Sequence, residues 1–99
     1  MTSTSPESDP ARLAFAQLNA LAVDLSGRGF LTGMVREGGT RKLLVVNQAV
    51  PSCREHITVA AEDDGAWWFR WSWGDRITLV DEVAAAAFKV AYVLTPQAG

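Results

Sequence analysis

The chain has 99 residues, 48% of them hydrophobic and 20% charged, with a formal net charge of −2. That is material for one domain around one core, and an acidic balance with scattered lysines and arginines excludes the electrostatic footprint of a duplex nucleic-acid or anionic-membrane binder. The single cysteine, Cys53, rules out an intrachain disulfide; with neither a signal-peptide pattern at the N-terminus nor an apolar run long enough to span a bilayer, the expected location is cytoplasmic.

Residues 1–8 are Ser/Thr/Pro-rich and acidic and are expected to form a disordered tail, with one domain over 9–95 and a short tail over 96–99. Asp9 is placed to cap a first helix, with Pro10 at the first helical position. At 100° per residue, Ala11, Ala14, Phe15, Leu18, Leu21, Ala22 and Leu25 form one apolar stripe, while Leu13 and Val23 fall off it. Gly27 is the expected left-handed stop.

Phe30 to Arg36 reads as a strand, Glu37-Gly38-Gly39-Thr40 as a turn and Arg41 to Asn47 as a second strand. The run Leu43-Leu44-Val45-Val46 is apolar on both faces, which predicts a central strand with cover on each side. Gln48 to Glu55 contains Pro51 and reads as a loop. His56 to Ala61 alternates as a third strand, and Glu62-Asp63-Asp64-Gly65 is the strongest hairpin signal in the chain. Ala66 to Trp73 is the expected fourth strand, with Trp67, Phe69, Trp71 and Trp73 on one face and Trp68, Arg70 and Ser72 on the other.

A second helix is expected to start between Thr78 and Asp81, either as a capping box from Thr78 or with Asp81 as the cap, and to end near Leu94 before Pro96. Its stripe is Val80, Val83, Ala84, Ala87, Val90, Ala91 and Leu94, extended by Phe88 and Tyr92. From Val83 to Leu94 the only charge is Lys89. A 99-residue domain is too small to bury such a helix all round, which argues for self-association.

The segment Asp64-Gly65-Ala66-Trp67-Trp68-Phe69-Arg70-Trp71-Ser72-Trp73-Gly74-Asp75-Arg76-Ile77, followed by the Ala-rich C-terminal helix, resembles a group of small actinobacterial proteins with no assigned activity. The resemblance extends in layout over roughly residues 10–94. It implies a short single-domain cytoplasmic protein, and the helix-turn-helix regulator genes beside some members imply a regulatory role. It supplies no functional residue.

The groups that carry chemistry are sparse. Cys53 and His56 are three apart, but one cysteine and one histidine fall short of a metal ligand set, and a nucleophilic pair needs a third, orienting group. Asp63 and Asp64 sit at a hairpin tip, where turn chemistry explains them. Gly27-Arg28-Gly29 follows a helix and precedes a strand, the reverse of a phosphate loop. Arg36 and Glu37, beside the Gly-Gly turn, read as solvated. No catalytic residue, metal or cofactor is expected.

The sequence therefore predicts an α+β fold, a four-stranded antiparallel sheet with N-terminal and C-terminal helices on one face. Its apolar surplus predicts a non-catalytic interaction or regulatory module, a homodimer or a binder of another protein, with candidate surface residues His56, Trp68, Arg70, Phe88 and Tyr92. The alternative is a small-molecule or peptide-binding domain whose pocket is lined by the tryptophan strand, with Arg70 or His56 among its polar groups.

Overall fold

A computed structural model describes residues 10–96. The expected tail over 1–8, the cap Asp9 and residues 97–99 lie outside them. Helix α1 (Pro10–Gly27) leads into strands β1 (Phe30–Glu37), β2 (Thr40–Asn47), β3 (Arg54–Ala61), β4 (Trp67–Trp71) and β5 (Arg76–Leu79), and helix α2 (Val83–Val93) closes the chain. The strands form one antiparallel sheet in the order β1-β2-β3-β4-β5. The α+β class, the antiparallel pairing and the terminal helices agree with the sequence reading; the sheet has five strands where four were expected.

Alternation decides the two faces. Leu43 lies opposite Ile57, Ile57 opposite Trp71, and Val59 opposite Phe69, so these side chains share one face. Both helices cover that face: Leu18, Leu21 and Leu25 of α1 and Ala86, Ala87 and Val90 of α2 join Leu43, Val45, Ile57, Phe69, Trp71 and Ile77 in one core. Each buried leucine contributes about 1.5–3 kcal/mol. The alanines on α2 let that helix approach closely.

The fifth strand corrects the start of the second helix. Arg76 pairs with Arg70 and Leu79 with Trp68, across a register shift. Thr78 is buried, and its hydroxyl donates to the carbonyls of Leu79 (3.0 Å) and Glu82 (3.3 Å). It therefore caps no helix. Nor does Asp81, because α2 begins at Val83 after Glu82, with no side-chain cap. The buried side of α2 is rotated toward Ala86, which leaves Ala84 exposed. Lys89 is anchored to the Ile77 carbonyl at 3.1 Å.

Three smaller differences have local causes. Gly27 stays helical, and Gly29 takes the left-handed conformation (φ 96°) that turns the chain into β1. β3 begins at Arg54 because Cys53 N–H closes a turn on Val50 and its carbonyl accepts from Asn47. β4 stops at Trp71, since Gly74 N–H bonds back to the Trp71 carbonyl (2.9 Å) and makes a tight connection into β5. Trp73 is consequently outside the strand and outside the core, 53% exposed.

Gly38 and Gly39 both have positive φ (57° and 82°), as a two-residue hairpin between twisted strands requires. On the helix-free side of this hairpin, Lys42 donates to Glu37 at 2.9 Å, and that bond holds the Glu37 carboxyl below its ordinary value.

Asn47 links three elements. Its Nδ2 donates to the Leu94 carbonyl at the end of α2 (2.9 Å), and its Oδ1 accepts from the N–H groups of Ala49 (2.9 Å) and Val50 (3.1 Å). Asn47→Ala removes all three bonds and leaves partly buried main-chain groups unsatisfied. We expect a loss of about 2 kcal/mol, read as a lower urea midpoint at unchanged slope. An unchanged midpoint would show that water replaces the side chain without cost.

Candidate interaction surface

The helix-free face of the sheet is set by the other half of the alternation. Leu31 faces Val46 and Gly33 faces Leu44 across β1 and β2, His56 lies opposite Leu44, and Trp68 lies opposite Ala60. This face divides into an apolar part and a charged part.

The apolar part lies along β1 and β2. Leu31 is 54% exposed, and Val35, Leu44 and Val46 are half-buried. Gly33 has no side chain, and a Cβ built there would meet nothing within 4 Å. The result is a shallow depression of about 140 Å³ lined by Leu31, Thr32, Gly33, Leu44 and Val46. The second strand is apolar on both sides as expected, but only its inner side is covered.

The charged part lies along β4 and β5 and centres on Glu62. Both Arg70 and Arg76 donate to its carboxylate. Arg70 also donates to the Gly74 carbonyl at 2.5 Å, and the Arg76 guanidinium lies 4.6 Å from the centroid of the Trp68 ring. Trp68 is thus on the helix-free face but half-buried under a cation, not the bare anchor its position in the sequence suggests. Arg70, opposite Thr58, and His56, further along β3, are half-buried on the same face.

Phe88 and Tyr92 are each 63% exposed on α2, one turn apart, with Val93 next to them. They border an open depression with Arg28, Ala91 and Thr95. The five residues singled out from the sequence therefore fall into two groups. His56, Trp68 and Arg70 share the open sheet face, and Phe88 and Tyr92 share the outer side of α2, which packs on the opposite face.

Three residues were missed. Glu62 and Arg76 organise the charged part. The alternation of the Ala60–Ala66 hairpin already puts Glu62 on the side of Trp68, but Arg76 joins only once β5 is known. The third is Trp73, whose ring stacks on Trp71 at 5.0 Å and 6° while its indole N–H donates to Asp75 at 2.9 Å. The Gly74-Asp75 pair that ends the strand was the available signal.

Cys53 is half-buried in the loop before β3. Among the described residues no three His, Cys, Asp or Glu side chains gather as a metal site, and no helix is long and apolar enough to cross a membrane. No family model, curated protein or solved structure matches the chain.

Glu62→Gln keeps the volume but removes the charge shared by two arginines, one of them only 28% exposed. The expected loss is about 1–2 kcal/mol, measured by urea denaturation; the outer half of the network is solvent-screened and contributes less. A stability equal to wild type would mean that the arginines are held by Trp68 and Gly74 alone.

Proposed function

We propose that the chain is a non-catalytic interaction module that self-associates through the β1 edge, a second copy adding its own β1 to make a continuous sheet. The observation that carries this reading is the unequal treatment of the two sheet edges. β5 is four residues long, its register shifts against β4, and Arg76 stands on it. These are the devices by which proteins protect an edge. β1 is eight residues long and pairs with β2 without a break, and no charge or proline occurs from Phe30 to Val35.

An edge of that kind is self-complementary under a twofold axis. Antiparallel pairing of two β1 strands about Gly33 sets Leu31 of one copy beside Val35 of the other. The charged residues Arg36 and Glu37 then fall past the centre, near Phe30 and Gly29 of the facing copy, so no like charges meet. The apolar strips of Leu31, Leu44 and Val46 merge across the junction, and main-chain bonds supply the register. This choice favours the sheet over α2, where Phe88 and Tyr92 offer two aromatic rings but no unpaired main-chain groups to set a register.

Light scattering over a micromolar to millimolar series tests the reading. The wild-type chain is expected as a dimer. Leu31→Lys, at an exposed position that folding tolerates, is expected to weaken the dimer by at least about tenfold, or about 1.4 kcal/mol. Phe88→Ser is expected to leave it intact. A monomeric wild type, or a dimer broken by Phe88→Ser and not by Leu31→Lys, would overturn the assignment.

A further inference from the structure

The inner side of the β1–β2 hairpin carries an arrangement that the core does not explain. Arg36 and Arg41 are direct cross-strand partners. Like charges placed opposite each other repel, and on the other side of the same hairpin the chain pairs Lys42 with Glu37. Among the described residues, neither Arg36 nor Arg41 forms an ion pair.

Both arginines line a half-open cavity of about 260 Å³, which Ala14, Gly39, Thr40, Val59 and Trp67 also border. Arg41 is held in place: its guanidinium lies 4.7 Å from the centroid of the Phe15 ring, so the planar fork is steadied while its edge stays free to donate. Phe15 was expected in the core and is 42% exposed, with this cation against it. Helix α1 approaches the same cavity through Ala14. Opposite the cations stands an apolar wall, the Trp67 indole with Val59.

The geometry points to a binding site for a small organic anion that carries an aromatic ring, with Arg36 and Arg41 holding the carboxylate or phosphate and Trp67 receiving the ring. Two guanidiniums match a planar carboxylate or a phosphate with paired N–H donors. The site is half-open, and its volume, slightly under the roughly 300 Å³ at which ligand pockets begin, suits about one ring. A larger depression of about 510 Å³ lies at Arg28, Phe30 and Asn47, but there Arg28 is already paired with Asp24 at 2.7 Å. The site differs from a pocket built on Arg70 and His56, which lie on the opposite face. It does not depend on self-association.

Phenyl phosphate is the probe, added to the full-length ¹⁵N-labelled chain while the Arg Nε–H and Trp Nε1–H resonances are followed. Saturable shifts are expected at Arg36, Arg41 and Trp67. Inorganic phosphate is expected to bind at least about tenfold more weakly, and phenol is expected to leave the arginines unmoved. Arg41→Gln is expected to weaken phenyl phosphate by at least about tenfold. Arg36→Gln is expected to weaken it as well while leaving the melting temperature unchanged or raised, because it removes a repulsion. Shifts that never saturate, or that persist in Arg41→Gln, would overturn the site. A lower melting temperature in Arg36→Gln would make the pair structural and overturn it too, and equal binding of inorganic phosphate would overturn the role of Trp67.

Discussion

Five strands in chain order, each bonded to the next, make a sheet with two faces, and two helices are available to cover them. Both helices go to the same face. Leu18, Leu21 and Leu25 lie over β1 to β3, and the small residues Ala86 and Ala87 bring α2 against α1 and β5. Asn47 closes the arrangement by tying the end of β2 to the end of α2. Once the inner face takes the large side chains, the other face must be finished with whatever the alternation leaves there. That residue set is apolar at one edge of the sheet and charged at the other.

The charged half is self-contained. Glu62 satisfies two arginines, one of which covers Trp68, so a tryptophan without a helix above it is still shielded from water. The apolar half has no comparable ion-pair network: Leu31 and Val46 face each other beside a glycine and, with Leu44, line an open depression. A protein that guards one edge with a bulge and an arginine has the means to guard the other. That contrast between the two edges is what the proposed pairing of β1 rests on.

Much of this was legible in the sequence because the period-2 pattern is strong where strands are long. β1 to β3, the Gly-Gly turn, the Asp-Gly hairpin and the stripe of α1 from Leu18 to Leu25 follow from alternation, glycine and helical spacing. What failed was short or depended on distant partners. β5 has four residues, too few for a period to show, and Thr78 with Asp81 imitates a helix start. Trp73 continues the alternation in sequence, but the backbone has already turned at Ser72 and Gly74. Phe15 lies on the helical stripe but stays part-exposed at the hairpin end, against Arg41, twenty-six positions away, instead of joining the core. Among the candidate surface residues, the sequence placed Trp68 and Arg70 on the correct face, yet it had no way to join them to Arg76 without the fifth strand.

The two ends of β1 carry different assignments, and geometry keeps them compatible. Pairing about Gly33 uses the outward main-chain groups of β1 and its helix-free side, whereas Arg36 and Arg41 face the helix-covered side. The two-residue turn holds Arg36 opposite Arg41 whichever molecule lies beyond the edge. In an antiparallel dimer the two hairpin tips point to opposite ends of the sheet, so the two cavities lie far apart and each is built within one chain. Arg36 is the one side chain that belongs to both the edge strand and the cavity. In the proposed assembly Arg36 is therefore the residue at which a ligand in the cavity and a strand paired at the edge would meet.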